Sequence, residues 1–259
     1  MTAGKSKRLR VAVFDSGIGG ITVLNELRSR YRGIDYLYFG DTANVPYGTK
    51  SPMQIRHLVT DAVARLKSES VDVLVVACNT ASCVAIEAIH EIMDGVPVLD
   101  VVQAGVQAVN ESLKKYSDFR RVVIFGTKAT VKSHTYADHL ESPLAKGKIQ
   151  LVEKACPLLV PMIEEGWQDH RLMKELVREY TQEFSSGGAG IGLLACTHYP
   201  WIQGVFETVL PGWKILNSAY AVADLLQKKV PAERLNGSGE SKVRWIFTDP
   251  DAVPDNVAR

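Results

Sequence analysis

Short apolar runs alternate with amphipathic segments along most of the 259-residue chain. Each run has the length of a single strand, and several are apolar and β-branched at successive positions. This pattern is typical of parallel strands that are covered by helices on both faces. The predicted strands are 10–15, 35–40, 71–78, 96–100, 121–126, 150–154, 191–196, 213–216 and 243–248.

The segment 51–67 has the clearest helical pattern, because its apolar residues recur at helical spacing. Ser51 followed by Pro52 is a typical helix start, with a capping side chain and then a first-turn proline. The alternation of strands and helices predicts an α/β fold with parallel sheets. Further helices are predicted at 80–93, 103–116, 157–165, 171–185, 201–209 and 218–229.

Three stretches lack a regular pattern. The sequence FSSGGAG at 184–190 predicts a short, flexible loop between a helix and a strand. Residues 231–242 are polar and predict a surface loop before the last strand. The tail at 249–259 is expected to be loosely ordered, as chain ends commonly are.

The overall composition restricts the class of protein. Hydrophobic residues make up 46% of the chain and charged residues 23%, which is ordinary for a soluble globular protein. A formal net charge of +1 gives no support for a surface that binds nucleic acid or an anionic membrane. The chain shows neither a secretory signal nor a long apolar span, so we expect a cytoplasmic protein with reduced thiols. Its four cysteines form no C-x-x-C pair, so no metal site is expected.

Two apolar runs end in a cysteine followed by polar residues. LVVACNTAS at 74–82 and LLACTHYP at 193–200 each read as a strand, a cysteine, a polar pair and a helix. This echo suggests two related α/β lobes that face each other. Ligands of parallel sheets collect at the carboxyl ends of the strands, which is where Cys78 and Cys196 fall.

Two thiols in these positions can exchange protons with a ligand. The positive end of a helix dipole stabilises a thiolate, so we expect the pKa of each thiol to be lowered toward neutrality. Cys78 and Cys196, facing each other across a cleft, would act on opposite faces of one carbon and invert it. The alternatives are buried structural cysteines, which we favour for Cys83 and Cys156, or a disulfide, which a reducing compartment opposes.

Other polar clusters follow predicted strands. FDSGIGG at 14–20 offers backbone N–H groups near Asp15, a residue that receives an ammonium group, supports a nearby proton transfer or merely caps the turn. GDTANVPYGTKSP at 40–52 is either a ligand loop, lined by the hydroxyl and backbone of Tyr47, or an ordinary surface loop. GTKAT at 126–130 places hydroxyl groups where a carboxylate can bind.

Two further groups are candidates near the second cysteine. His198 either orients or acidifies Cys196, or is an ordinary polar side chain with satisfied hydrogen bonds. The pair Glu164 and Glu165 falls at a predicted helix end, where one can support the second thiol or both can be solvated at the surface.

Taken in order, these motifs resemble those of glutamate racemase, within the aspartate/glutamate racemase superfamily. The motifs are FDSGIGG, GDTANVPYGTKS, VVACNTAS, FGTKAT, ACPLLVP and LLACTHYP, and they run from about residue 11 to residue 202. The resemblance implies a cofactor-independent interconversion of L- and D-glutamate that supplies D-glutamate for peptidoglycan. It also implies two pseudo-symmetric lobes, each a mostly parallel sheet flanked by helices, with the active site in the cleft between them.

The resemblance also implies roles for individual residues. Cys78 and Cys196 match the two acid/base thiols, with Cys78 handling the D-enantiomer and Cys196 the L-enantiomer. Asp15 and His198 match supporting groups beside the first and second thiol, and Glu164 matches an auxiliary carboxylate. The substrate-binding residues expected from the motifs are Asp15, Ser16, Pro46, Tyr47, Gly48, Asn79, Thr80, Thr127, Thr130, Thr197 and His198.

The domain boundaries follow from the same resemblance. The first lobe would comprise residues 1–100 and 217–259, and the second residues 101–216. The alternatives are a racemase for aspartate or another acidic amino acid, and a non-catalytic regulatory protein on the same fold. A homodimer, and an interaction with DNA gyrase as reported for some glutamate racemases, are the partner interactions left open.

Overall fold

The computed structural model of the protein describes residues 8–144, 149–186 and 188–253. All nine predicted strands are confirmed, with ends displaced by at most three residues. The strands are β1 (Arg10–Asp15), β2 (Asp35–Gly40), β3 (Val73–Val76), β4 (Val98–Asp100), β5 (Arg121–Gly126), β6 (Gln150–Ala155), β7 (Ile191–Ala195), β8 (Lys214–Asn217) and β9 (Val243–Phe247). The helices are α1 (Ile21–Arg30), α2 (Pro52–Lys67), α3 (Asn79–Ile92), α4 (Val101–Lys115), α5 (Lys128–Ser133), α6 (Thr135–Leu144), α7 (Leu159–Glu164), α8 (Arg171–Thr181), α9 (Gln203–Val209), α10 (Ser218–Lys229) and α11 (Ala232–Leu235).

The strands form two parallel sheets. The first has the order β4-β3-β1-β2-β9 and the second the order β8-β7-β5-β6, so β1 to β4 and β5 to β8 are arranged alike. In each sheet, the strand order reverses at the first strand along the chain. This reversal creates a crevice at the carboxyl ends of β1 and β3 in the first sheet, and of β5 and β7 in the second. The predicted α/β fold with two parallel sheets flanked by helices is confirmed.

Helix α2 begins where the sequence predicts it. The Ser51 hydroxyl accepts a hydrogen bond from the Gln54 N–H at 3.3 Å, and the Gln54 side chain accepts one from the Ser51 N–H at 3.1 Å. This reciprocal capping satisfies N–H groups that the first helical turn leaves without partners. The apolar stripe of α2 then packs against the first sheet.

Helix α4 lies between the two sheets and has two buried faces. Val101 and Ala104 pack in the core of the first sheet together with α1 and α10. Val106 and Val109 pack in the core of the second sheet, beside β5 and β7. The two sheets are therefore joined by a shared apolar layer as well as by the chain itself.

Several predictions of irregular or helical structure need correction. The stretch 231–242 is not all loop, because it contains α11, whose Leu235 is fully buried. The predicted helix 171–185 ends at Thr181 and continues as a 3-10 turn. The start of the predicted loose tail is ordered, since the Asp249 backbone is hydrogen-bonded to Thr42. Residues 254–259 of that tail, and residue 187 of the predicted loop 184–190, lie outside the described residues.

Among the helices of the described ranges, none combines the length and the apolar character needed to cross a membrane.

Candidate active site

A cavity of about 280 Å³ lies at the carboxyl ends of the strands of both sheets, and both strand-end cysteines line it. This volume falls near the lower end of the range for small-molecule sites, so it fits a small ligand. The walls are formed by Ser16, Val45, Pro46, Tyr47, Gly48, Thr49, Cys78, Asn79, Thr80, Thr127, Lys128, Cys156, Pro157, Val160, Pro161, Glu164, Glu165, Cys196, Thr197 and His198.

Cys78 caps the N-terminus of α3, directly after β3. Its Sγ accepts a hydrogen bond from the Ala81 N–H at 3.4 Å and lies 3.4 Å from the Ser16 hydroxyl. Asp15, at the end of the adjacent β1, is fully buried, and its Oδ2 accepts a hydrogen bond from the Gly17 N–H at 3.0 Å. The first sheet therefore brings a thiol and a carboxyl group to one crevice.

The protonation of Cys78 corrects the expectation from the sequence. Burial and the nearby Asp15 raise the pKa of Cys78 to about 12, and the hydrogen bonds from Ser16 and Ala81 offset only part of this. The helix N-terminus therefore does not bring the pKa of this thiol to neutrality, because desolvation is the larger effect. Burial also raises the pKa of Asp15, although the charge of His198 and the hydrogen bonds that Asp15 accepts oppose that rise.

Cys196 has a different set of partners. The His198 Nδ1 lies 3.9 Å from the Cys196 Sγ, and the His198 Nε2 lies 2.9 Å from the Glu164 Oε1. Burial lowers the pKa of His198, but the hydrogen bonds and charges of Cys196 and Glu164 outweigh burial and raise that pKa to about 10. When Cys196 is ionised, His198 is therefore a cation at neutral pH, held between the thiolate and the Glu164 carboxylate.

The two sides of the cavity are joined by Thr197. Its hydroxyl donates to the Asp15 Oδ1 at 3.2 Å, and its carbonyl accepts a hydrogen bond from the Thr22 hydroxyl at 2.9 Å. A methyl group in place of the Gly19 hydrogen would lie 2.5 Å from the His198 Nδ1 and closer still to the Thr197 hydroxyl. A glycine is therefore required at position 19 for the turn after β1 to approach the second sheet.

Three threonines form a hydroxyl cluster in and behind the cavity wall. The Thr127 hydroxyl lies 3.0 Å from those of Thr80 and Thr130, and the Thr80 and Thr130 hydroxyls are 3.3 Å apart. Thr127 also caps α5, because its hydroxyl accepts a hydrogen bond from the Thr130 N–H at 3.2 Å. Hydroxyl protons can rotate toward an anion, so this cluster is suited to a carboxylate.

Asn79 lines the cavity, but its side chain is held by the protein. The amide oxygen accepts a hydrogen bond from the Tyr136 hydroxyl at 2.6 Å, and the amide nitrogen donates to the Ser218 hydroxyl at 3.3 Å. These bonds fix the N-terminal turn of α3, whose backbone faces the cavity together with Cys78.

Most of the site residues that the sequence predicts line this cavity. The cavity wall contains Ser16, Pro46, Tyr47, Gly48, Cys78, Asn79, Thr80, Thr127, Glu164, Cys196, Thr197 and His198. Asp15 and Thr130 are fully buried and do not line the cavity, but Asp15 is hydrogen-bonded to the wall residue Thr197, and Thr130 to Thr80 and Thr127. The Tyr47 hydroxyl donates to the Asp41 Oδ2 at 2.6 Å, so it is not free to donate to a ligand.

The sequence reasoning missed part of the wall. Cys156, which we predicted to be structural, is buried and also lines the cavity, while Cys83 does not line it. Lys128 lies within the GTKAT stretch but was not singled out. The remaining missed residues are Val45, Thr49, Pro157, Val160 and Pro161, whereas Glu165, named in the sequence beside Glu164, also lines the cavity. Proline and aliphatic residues carry no chemical signal in a sequence, so only the fold could reveal them.

In the described part of the chain, no three histidine, cysteine or acidic side chains are grouped so that they could bind a metal ion.

Comparisons with known proteins identify the family of this chain. The family model described as Asp/Glu/Hydantoin racemase matches residues 23–226. A glutamate racemase of Persephonella marina is 40% identical over 235 residues, which cover 91% of this chain and 87% of that protein.

Solved structures extend the comparison to the fold. A glutamate racemase of Francisella tularensis in complex with D-glutamate has a TM-score of 0.84 at 31% identity, covering 96% of this chain and 90% of that one. A glutamate racemase of Thermus thermophilus in complex with β-chloro-D-alanine has a TM-score of 0.81 at 36% identity, covering 96% and 91%. The chain belongs to the Asp/Glu/Hydantoin racemase family and, within it, to the glutamate racemases, as its motifs predict.

Proposed function

We propose that this protein interconverts L- and D-glutamate with two thiols, Cys78 and Cys196, one of which removes the α-proton while the other donates its own proton to the opposite face. One observation carries the proposal: both thiols line a single small cavity, and each has its own ionisable groups behind it. The similarity to glutamate racemases, one of them in complex with D-glutamate, supports glutamate as the substrate. The reaction would supply D-glutamate for peptidoglycan.

The reaction consists of two proton transfers. One cysteine, as a thiolate, removes the α-proton and becomes a thiol, and the bonding electrons remain on the α-carbon. The other cysteine, as a thiol, donates its proton to the opposite face of that carbon and becomes a thiolate. The product has inverted configuration, and the two thiols have exchanged protonation states, so protons and charge balance. Cys78 acts on D-glutamate and Cys196 on L-glutamate.

The charged groups around Cys78 suit an amino-acid substrate. Burial and Asp15 raise the pKa of Cys78 to about 12, and burial raises that of Asp15 as well. The ammonium group of a bound amino acid is a positive charge, which lowers the pKa of Cys78 and thereby favours its thiolate. The substrate itself therefore activates the base that attacks it.

On the opposite side, His198 supports proton transfer at Cys196. Its pKa of about 10 keeps the imidazole protonated at neutral pH, and Glu164 holds it through the Nε2 atom. A cation beside the sulfur stabilises the thiolate that forms when Cys196 donates its proton. His198 and Glu164 thus match the supporting roles that the motifs imply.

The substrate carboxylates need donors in a cavity that excludes water. The hydroxyl cluster of Thr80, Thr127 and Thr130, together with the N-terminal backbone of α3, supplies such donors where charge develops. We assign the binding role to the wall residues Ser16, Pro46, Tyr47, Gly48, Asn79, Thr80, Thr127, Thr197 and His198, with Asp15 and Thr130 acting from behind the wall.

The proposed lobes are residues 1–100 with 217–259, and residues 101–216. The sheets support this division, because β4 and β9 belong to the first sheet and β8 to the second. A cytoplasmic location, a homodimer and a gyrase interaction stay predictions from the sequence.

Deuterium incorporation tests the activity. In deuterium oxide without pyridoxal phosphate or added metal, L-glutamate should give D-glutamate that carries deuterium at the α-carbon, because the incoming proton derives from an exchanged thiol. Chiral chromatography with mass spectrometry measures both the configuration and the label. Aspartate, run in parallel, should react more slowly. Folded protein that neither inverts nor labels glutamate rejects the proposal, and faster turnover of aspartate identifies the alternative substrate.

Cysteine substitutions test the assignment of the two thiols. Cys78→Ser and Cys196→Ser should each lower kcat by about 10²–10⁴-fold, the usual contribution of a positioned acid or base. Cys83→Ala is the matched control and should keep wild-type kcat, because Cys83 lies outside the cavity wall. Wild-type turnover by either serine variant would refute the two-thiol mechanism.

A further inference from the structure

The loop that carries Tyr47 and Gly48 is tied to the end of the described chain. Asp41, which begins this loop, is buried, and its Oδ2 accepts the hydrogen bond from the Tyr47 hydroxyl at 2.6 Å. Its Oδ1 accepts two more, from the Asn44 amide at 3.0 Å and from the Thr248 hydroxyl at 2.8 Å. One carboxyl group thus holds both ends of the loop and the residue that follows β9.

The attachment to the C-terminal segment is reciprocal. The Thr248 hydroxyl also accepts a hydrogen bond from the Ala43 N–H at 2.9 Å. The Thr42 hydroxyl donates to the Asp249 carbonyl at 2.7 Å and accepts from the Asp249 N–H at 2.9 Å. We call this set of residues, Asp41, Thr42, Tyr47, Thr248 and Asp249, the strap.

The strap reaches the cavity wall at Tyr47, and its other members lie outside that wall. The Asp41 N–H donates to the Asp15 carbonyl at 3.1 Å, so the strap begins beside the end of β1. At its other end, Gly48 packs on the second sheet's side of the cavity, where an added methyl group would lie 2.7 Å from the Thr127 Cβ. The position of Asp41 therefore sets the contact between the loop and α5, and with it one wall of the cavity.

We propose that Asp41 is a positioning residue for the active site, and that it works by fastening the Tyr47–Gly48 wall to the C-terminal Thr248. This inference rests on the proposed racemase function, because its effect is measured on glutamate. It gives a role to two sequence stretches that contain none of the proposed catalytic residues. These are GDT at 40–42 and FTD at 247–249, which lie far apart along the chain. Asp41 does not line the cavity, so it acts through Tyr47.

Breaking the strap should weaken substrate binding more than it slows the chemical step. When the strap is broken, the loop occupies its closed position in a smaller fraction of molecules, and the apparent affinity falls by that fraction. Loss of a hydrogen bond to a carboxylate changes such an equilibrium by about tenfold or more. The chemistry within the correctly closed molecules is unchanged. By contrast, a variant that merely unfolds part of the sample lowers the apparent kcat and leaves KM as it was.

The test uses the full chain and four variants. Tyr47→Phe removes only the strap hydroxyl, Thr248→Val removes the C-terminal partner, and Asp41→Asn keeps one acceptor oxygen whereas Asp41→Ala keeps none. Tyr47→Phe and Thr248→Val should each raise KM for both glutamate enantiomers by about tenfold, with kcat within about twofold of wild type. KM should rise further from Asp41→Asn to Asp41→Ala, because the amide oxygen preserves one bond.

Tyr31→Phe is the matched control. It removes another buried tyrosine hydroxyl, at the end of α1 in the core of the first sheet, which donates to the Ala223 carbonyl at 2.8 Å away from the cavity, and should leave KM and kcat unchanged. Hydrogen exchange by mass spectrometry over residues 42–50 supplies a readout that does not need activity. The amides of this segment should exchange faster in the strap variants and at the wild-type rate in Tyr31→Phe.

The outcomes separate the strap from the racemase assignment. Wild-type exchange rates over 42–50 in Thr248→Val and Asp41→Asn overturn the strap, as does a fall in kcat at constant KM. If wild-type protein and Tyr31→Phe racemise glutamate in those cases, the proposed function stands without the strap. If wild-type protein does not racemise glutamate, the function fails, and the exchange rates alone decide whether the strap holds the loop.

Discussion

The two cavity cysteines have the same position in their sheets but opposite electrostatic surroundings. Cys78 lies near a buried carboxyl group, and its pKa is raised to about 12, whereas Cys196 lies 3.9 Å from the Nδ1 of a cationic histidine. The motifs in the sequence identified both cysteines and their neighbours. They could not reveal this asymmetry, because desolvation depends on how deeply the folded chain buries each group. For this reason, the expectation that the helix dipole lowers the pKa of each thiol toward neutrality is wrong for Cys78.

Glu164 offers a pH test of the histidine side. Glu164→Gln removes the carboxylate charge that, with Cys196, raises the pKa of His198 to about 10, so this pKa should fall. Glu164 is about one-third exposed, so solvent screens its interaction with His198. The pKa of His198 should therefore fall by only about half a pKa unit. The alkaline limb of the kcat/KM profile should therefore move to lower pH by about that amount, measured between pH 7 and 11.

The stability of the same variant has a defined sign. The folded pKa of His198 is higher than its unfolded value of 6.5, so the stabilisation by its partners is fully present below pH 6.5 and is lost as pH rises through about 10. The difference in Tm between wild type and Glu164→Gln should be largest near pH 6 and should shrink toward pH 10. A difference that grows with pH over this interval would contradict a protonated His198.

At the level of elements, the strands were more predictable than the short helices. Continuous β-branched runs mark the parallel strands, since these are buried on both faces. The helices α5 and α6 have no comparable stripe. Helix α5 begins with the Thr127 cap, and α6 is held by single buried residues such as Tyr136. Tertiary contacts decide elements of this kind, and α11 forms within polar sequence because Leu235 finds a buried site.

The turn between β1 and α1 makes a prediction about how closely the two sheets approach. Gly19→Ala places a methyl group against Thr197 and His198, so either the turn or the His198 side chain must move. We expect a loss of about 1–3 kcal/mol in the free energy of unfolding, as for other overpacked sites. We also expect kcat/KM to fall by about tenfold or more, because a misplacement of about 1 Å is costly in an active site.

Gly204→Ala is the matched control for this substitution. Gly204 lies in α9, is exposed and has open space around its Cβ position. The change should stabilise the helix by about 0.5–1 kcal/mol and leave turnover unaltered. Chemical denaturation and steady-state kinetics on both variants provide the comparison. Wild-type kcat/KM in a folded Gly19→Ala protein would show that the close approach at residue 19 is unnecessary.

At the scale of the whole molecule, the sequence predicted two similar lobes but not what connects them. The repeated strand–cysteine pattern is local and can be recognised in a sequence. The Asp15–Thr197 bond spans 182 positions and the Asp41–Thr248 bond spans 207, and neither leaves a periodic signal. Such contacts arise from the folded arrangement alone. The Asp15–Thr197 bond holds the two halves of the cavity relative to each other, whereas the Asp41–Thr248 bond fastens the loop within the first lobe.

Helix α4 packs against both sheets and should therefore make their unfolding cooperative. Val101 and Ala104 belong to the core of the first sheet and Val109 to that of the second, so unfolding of either sheet exposes one face of the same helix. We therefore expect a single thermal transition with equal calorimetric and van't Hoff enthalpies. Val109→Ala should lower this one Tm without splitting it, because loss of second-sheet packing is transmitted through α4 to the first sheet. Two resolved transitions, of which the substitution moves only one, would instead show that the sheets unfold independently and that α4 follows just one of them.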